Sequence, residues 1–276
     1  MQGNYYTTNR EPSSYARGYA LFLNRTNFRQ EILLATERCV VPHLRVTPQQ
    51  PLHVLDLGCG DGMMTAEYLQ RHIGQYPTST YRVQLIEPSD ALKVAETCFT
   101  TMSSISHVER FAMTAEDFFK IHVQVSDTWD WIIASHVFYH LDPALLLSCA
   151  EHLSETGTFF LTLGSPNHPL RRHPILAAAS RYVGFTDIAP HLEKLPNRFS
   201  VENIDVPTTL NLRGLRKQDG ELTKEGCAVY SFIYNTDVQQ FSPEQRETLK
   251  DVLDELDTRH NGLLHHAHRI TLVRRR

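Results

Sequence analysis

The chain predicts an α/β fold built on a doubly wound, mostly parallel sheet, and three observations carry that expectation. Short apolar runs alternate with helical apolar patterns from His53 to Leu163, a glycine-rich turn follows the first run, and 276 residues at 41% hydrophobic content can bury one large core.

The elements follow in order. Tyr15 to Arg38 carries apolar side chains at Tyr15, Tyr19, Phe22, Leu23, Ile32, Leu33 and Leu34, the spacing of an amphipathic helix in one or two pieces, which Pro42, Pro48 and Pro51 close off. Next come strand His53–Leu57, helix Met63–His72, strand Arg82–Ile86, helix Ser89–Thr101, strand His107–Ala112, strand Trp131–Ser135, helix Pro143–Leu153 and strand Thr158–Leu163. Ser165 to Gly226 is richer in Pro, Asn and charge and reads as insertions over the sheet edge, with a strand near Thr208–Leu212. Ser242 caps a helix over Pro243–Thr258 that stops before Asn261-Gly262, and strand His268–Val273 makes the seventh. No internal repeat or low-complexity tract interrupts this succession.

Composition narrows the function. A formal net charge of -4, with basic residues scattered apart from the last three, leaves no electrostatic footprint for nucleic acid or an anionic membrane, so a small-molecule or protein substrate is favoured. The five cysteines lie far apart without a CxxC pair, no leader is evident and no apolar run approaches 18 residues; reduced thiols in a cytoplasm are expected. His265, His266 and His268 form a bare HHxH with no matching Cys, Asp or Glu pair, which reads as a half-exposed strand, and no metal is expected.

The segment His53 to Gly62, HVLDLGCGDG, carries the strongest chemical signal. After a buried strand the chain must turn sharply and let a ligand approach its backbone, which Gly58, Gly60 and Gly62 permit, and the helix that follows aims its first amides at that ligand. The same glycines suit a dinucleotide pyrophosphate, but Asp56 and Asp61, flanking Cys59, put acidic side chains at the turn, which suits a cationic amino-acid moiety better. Glu87 ends the second strand before Pro88, where a carboxylate can accept from both ribose hydroxyls; a helix-start carboxylate beside Ser89 is the alternative. Thr114-Ala115-Glu116 follows the third strand, where an adenine edge would lie, although Thr114 suits a helix cap before Asp117 equally well. Ser135 and His136 end the fourth strand on the ligand-binding rim, and Tyr139 and His140 continue along it.

The pattern D-L-G-C-G-D-G resembles the first motif of class I S-adenosylmethionine-dependent methyltransferases, and with Tyr15-x-x-x-Tyr19-x-x-Phe22-Leu23-Asn24, Phe138-Tyr139-His140 and Leu264-His265-His266 most of the chain is similar to histamine N-methyltransferase-like enzymes. That resemblance implies a Rossmann-like methyltransferase fold with a seven-stranded sheet, helices on both faces, an N-terminal helical lid and insertions after the fifth strand. It divides the chain into a lid over 1–50, a cofactor-binding core over 51–165, and substrate-binding insertions with the closing strands over 166–276. It implies S-adenosylmethionine as cofactor, held by Asp56, Gly58, Cys59, Gly60, Asp61, Glu87, Pro88, Thr114, Ala115, Glu116, Ser135 and His136. Substrate residues carried over are Tyr15, Tyr19, Phe28, Tyr139, His140 and His266. Phe28 stands where the family has a substrate-holding glutamate, and an apolar side chain cannot pair with an ammonium, so an acceptor other than histamine is implied.

The expected chemistry is in-line attack of a neutral nitrogen on the sulfonium methyl, with His140 as candidate base beside Tyr139. Tyr15, Tyr19 and His140 also suit plain core packing. Two rivals use the same motif: transfer or cyclisation of the aminocarboxypropyl arm with release of methylthioadenosine, and a non-catalytic module that binds the cofactor. A monomer or homodimer is expected.

Overall fold

A computed structural model of the chain describes residues 12–44, 50–165, 168–179 and 184–276, with the side chains of 12–16, 43 and 171 outside that description. In chain order the elements are α1 (Pro12–Leu23), α2 (Phe28–Cys39), β1 (Leu52–Leu57), α3 (Met63–Gln75), β2 (Tyr81–Ile86), α4 (Ala91–Thr100), β3 (Ile105–Phe111), α5 (Ala115–Ile121), β4 (Trp129–Ser135), α6 (Leu145–Glu151), β5 (Leu153–Gly164), α7 (Pro174–Ala179), α8 (Phe185–Glu193), β6 (Phe199–Asn211), α9 (Lys224–Tyr234), α10 (Pro243–His260) and β7 (Leu263–Arg275). The strands form one seven-stranded sheet in the order β3-β2-β1-β4-β5-β7-β6, with parallel pairing from β3 through β5. This is the doubly wound α/β fold that the alternation of patterns predicts.

The described residues fall into two compact units. The first comprises 32–164, 183–206 and 269–276. Its central strands are continuous apolar runs because both faces are covered: Val54, Leu55 and Leu57 of β1 have no exposure. On one face Leu55, Leu57, Ile132, Ala134, Phe159 and Leu161 pack with Phe118 of α5, Leu146 and Cys149 of α6 and Ile188 of α8. On the other face Tyr68 of α3 stacks against Trp131 and Phe160, with ring centroids 6.1 and 5.3 Å away. His72 of α3 ties the same helix to β2 through its Nδ1, 2.5 Å from the Tyr81 hydroxyl. Burial lowers its pKa to about 4, so that imidazole is neutral at physiological pH.

The second unit comprises the described residues of 1–31, 165–182 and 207–268. Here α1 lies close along α9, because a Cβ on Gly18 would stand 2.6 Å from the Ala228 carbonyl oxygen. Tyr19 and Phe22 both pack on Phe232, at 5.3 and 5.2 Å between ring centroids. The Ser242 hydroxyl accepts from the Gln245 amide and Gln245 reaches back to the Ser242 amide, the reciprocal cap that starts α10.

Several elements differ from the sequence expectation. The strand expected near Thr208–Leu212 is the end of a longer β6, and β5 begins at Leu153 rather than Thr158. The stretch read as insertions contains α7 and α8, and α9 starts at its end. The N-terminal helical segment agrees with its expectation of one or two pieces: it is two helices, separated where Thr26 bridges Leu210.

Candidate active site

The glycine turn leaves β1 in a conformation that few side chains tolerate. Gly58 has φ of 61°, and a Cβ there would sit 2.1 Å from Cγ2 of Val137, so the turn is pressed against the segment that follows β4. Gly60 has φ of 55° and faces open space, with nothing within 4 Å of where its Cβ would be. The turn is therefore closed on one side by Val137 and open at Gly60, the arrangement a ligand needs to lie against backbone.

Carboxylates crowd this turn. Glu87 Oε2 accepts from the Gly60 amide at 3.1 Å and its Oε1 from the Ser89 amide at 2.9 Å, which fixes the end of β2 to the turn after β1. Asp61 Oδ1 accepts from the Met63 amide at 3.1 Å, at the start of α3. Asp56 is 2% exposed, and its Oδ2 has no hydrogen-bond partner among the described residues. Burial, opposed by a hydrogen bond from Thr65 and reinforced by the negative charges of Glu87 and Asp61, pushes its pKa up to about 8. Burial likewise pushes the Cys59 thiol up, so it stays protonated.

The neighbouring loops are held by backbone hydrogen bonds to the very side chains that the sequence singles out. Thr114 Oγ1 accepts from the Asp117 amide at 3.2 Å, so Thr114 caps α5, and Ala115 is buried beside it. Glu116 Oε1 accepts from the Asp142 amide at 3.0 Å, fixing the loop before α6. Pro88 is exposed after Glu87. At the end of β4 the Ser135 hydroxyl oxygen is buried with no partner among the described residues. His136 has φ of 57°, with its amide donating to the Thr162 carbonyl at 3.0 Å. Tyr139 Oη lies 3.3 Å from His136 Nδ1 and accepts from the Gly164 amide at 2.5 Å. Burial lowers the pKa of His140.

With this geometry, a family model described as a methyltransferase domain matches residues 28–205. The chain belongs to the methyltransferase-domain family. The methyltransferase is similar to the plantazolicin methyltransferase BpumL, solved with S-adenosylhomocysteine, at 12% identity over 99% of this chain and 93% of that one, with a TM-score of 0.51. It is also similar to a SAM-dependent methyltransferase from Archaeoglobus fulgidus, at 15% identity over 90% and 94% of the two chains and a TM-score of 0.44. At 12% identity the likeness to BpumL shows the shared fold alone. No curated protein is a significant match.

The first unit of the methyltransferase suits S-adenosylmethionine, a cation with a ribose diol. The cradle at Gly60 accommodates it, the unpartnered oxygen of Asp56 and the hydroxyl of Ser135 offer polar contacts, and Glu87 supplies negative charge one strand away. Asp56, Gly58, Cys59, Gly60, Asp61, Glu87, Ser135 and His136 are all gathered at the carboxyl ends of β1, β2 and β4.

Of the expected substrate residues, Tyr139 and His140 belong to the first unit, and Tyr15, Tyr19, Phe28 and His266 to the second. Phe28 is 3% exposed and stacks on His268 at 5.0 Å. His266 is also buried, with its ring between those of His268, at 5.0 Å, and His168, at 4.7 Å, and with the Thr208 hydroxyl 3.3 Å from its ring nitrogens. The strand read as half-exposed thus turns His265 outward and buries His266 and His268. Tyr19 is 37% exposed against Phe232, and the side chain of Tyr15 lies outside the described residues. Sequence reasoning missed His168, Thr208, Gly164 and His268. The alternation of His266 and His268 along a strand was the available signal for His268, and nothing local marks the other three.

Proposed function

We propose that this methyltransferase moves the methyl group of S-adenosylmethionine to a small-molecule acceptor through a nitrogen nucleophile: an amine, imidazole or amino acid. The carrying observation is the buried cluster of Phe28, His168, His266 and His268, an aromatic and imidazole surface without a carboxylate, lysine or arginine among those members. Such a surface desolvates an acceptor and favours its neutral form, the form with a free lone pair. Phe28 where related amine methyltransferases carry a glutamate argues for an acceptor other than histamine.

The bound cofactor supplies a methyl group already activated by the sulfonium charge. The chain's own part is alignment, worth up to about 7–11 kcal/mol in well-oriented systems. Asp56, Gly58, Cys59, Gly60, Asp61, Glu87, Pro88, Thr114, Ala115, Glu116, Ser135 and His136 are assigned to hold the donor. Tyr15, Tyr19, Phe28, Tyr139, His140 and His266 are assigned to substrate binding, Tyr139 and His140 in the first unit and the others in the second. His140, kept neutral by burial, can accept a proton beside Tyr139. A lid over 1–50, a donor-binding core over 51–165 and substrate-binding insertions over 166–276 are the corresponding division of labour. A reducing cytoplasmic setting is part of the proposal, supported by cysteines that lie far apart in the sequence without a CxxC pair, and no described helix is long and apolar enough to cross a membrane. A monomer or homodimer acting on a small molecule, without nucleic acid, completes the proposal.

Incubation with methyl-tritiated S-adenosylmethionine and a panel of amines, imidazoles, amino acids and phenols tests it, with products separated by mass spectrometry. A methylated nitrogen with S-adenosylhomocysteine is the expected result. Methylthioadenosine, or methylation of oxygen alone, would overturn the reading.

A further inference from the structure

Among the described residues three non-glycine positions have positive φ: His136, Asn235 and Asn261. The two asparagines end helices α9 and α10, a position where the left-handed conformation is routine. His136 ends a strand, where this conformation costs roughly 1 kcal/mol or more and terminates no helix. Its effect is to turn the imidazole back over Tyr139, with ring centroids 5.9 Å apart, ring planes 28° apart and Nδ1 3.3 Å from the phenol oxygen.

The direction of the hydrogen bonds follows from chemistry. The Gly164 amide can only donate, so at 2.5 Å it fills an acceptor site on Tyr139 Oη. Gly164 also permits the approach, since a Cβ there would stand 3.2 Å from that oxygen. The phenol keeps one proton and one lone pair, and His136 Nδ1, 3.3 Å away, receives that proton when the imidazole is the tautomer protonated at Nε2. A phenol held this way is poised to act as a base: its proton has somewhere to go, and the Gly164 N–H stabilises charge that develops on the oxygen.

We propose that Tyr139 takes the proton of the methyl acceptor while passing its own to His136, so that Tyr139 is a catalytic residue and His136 the positioning residue and proton sink behind it. The inference rests on the methyl-transfer reading above and assigns to His136 a task other than holding the donor. In the balanced step, the acceptor's lone pair forms the new bond to the methyl carbon and the carbon–sulfur bond breaks with its pair left on sulfur. The acceptor's proton moves to Tyr139 Oη, the phenol proton moves to His136 Nδ1, and the resulting imidazolium later loses a proton to water.

Two measurements on the full chain test this. In nitrogen-15 NMR of the free protein at neutral pH, His136 should show an unprotonated Nδ1 that shifts in Tyr139→Phe; a protonated Nδ1 overturns the proposal, whatever the activity. Second, methyl transfer to 4-methylimidazole, benzylamine and 4-methylphenol is compared among wild type, Tyr139→Phe and His136→Asn, since asparagine tolerates the left-handed conformation. Both variants should lose about 10²- to 10⁴-fold in kcat, the usual range for a general base, and Tyr139→Phe should bind S-adenosylhomocysteine within twofold of wild type. Unchanged kcat in His136→Asn overturns the relay. If wild type methylates none of the three probes, it is the reading of the acceptor class that fails, and the tautomer still decides the relay.

Discussion

Replacing Asp56 by Asn tests the electrostatic reading of the donor site most directly. Asp56 is 2% exposed and its pKa is raised from 3.8 to about 8, so below pH 8 the folded protein keeps a proton that the unfolded chain gives up. The sign follows: the group's contribution to stability is fully present below about pH 4 and is lost as pH rises toward 8, because only the unfolded state gains by ionising. At about 1.4 kcal/mol for each unit of pH, the interval from 3.8 to pH 7 corresponds to roughly 4 kcal/mol. Asparagine has the same shape and never ionises, so Asp56→Asn should lack this loss. At roughly 2 °C per kcal/mol for a chain of this size, the variant should gain about 8 °C in Tm relative to wild type on going from pH 4 to pH 7. Thermal melts of both proteins across that range, read as the difference between them, cancel every other titrating group. The same variant should bind S-adenosylmethionine at least about tenfold more weakly in calorimetry, since a carboxylate that ionises toward a cation is gone. Parallel melting curves with less than about 1 °C of pH-dependent divergence would refute the reasoning.

Three further outcomes are expected. Gly58→Ala should destabilise the protein by about 3 kcal/mol, from the left-handed backbone and the 2.1 Å approach to Val137, and Val137→Ala added to it should restore part of the loss in thermal melts. Glu87→Gln, which places an amide NH2 among the Gly60 and Ser89 N–H groups, should weaken binding of S-adenosylhomocysteine roughly tenfold or more by calorimetry, about the 1.4 kcal/mol of one lost charge-assisted contact. Thr114→Ala should remove the α5 cap at about 1 kcal/mol in urea unfolding, with no pH dependence between 5 and 8.

The alternating core of the fold was legible because local rules and tertiary packing agree there. β1, its turn and α3 sit within a few residues of expectation, since a fully buried parallel strand writes a continuous apolar run and a left-handed turn writes glycine. The agreement fails after Ser165. The stretch KEGCAVYSFIY of α9 mixes charge, glycine and aromatics, although Thr223 capping the Gly226 amide and buried Val229, Tyr230, Ile233 and Tyr234 make it an ordinary helix. Gly226 itself is required by packing, since its Cβ would lie 2.1 Å from the Leu215 carbonyl oxygen, a contact that no local pattern announces. His168 was invisible for the same reason: its partner His266 lies far along the chain.

At the donor site the difficulty is of a different kind, because the residues were legible and their energetics were not. Three acidic side chains, Asp56, Asp61 and Glu87, converge on one turn, and among the charges acting on Asp56 the other two carboxylates both disfavour its ionised form. A fold selected for stability alone gains nothing from this crowding, so the turn holds a destabilising arrangement that a cation relieves. The same arrangement argues against a dinucleotide. A pyrophosphate needs free backbone N–H groups at the helix start, whereas the Gly60 amide is already given to Glu87 and the Met63 amide to Asp61. Glycines alone admit either ligand; the carboxylates occupying those amides decide between them, and they favour the sulfonium.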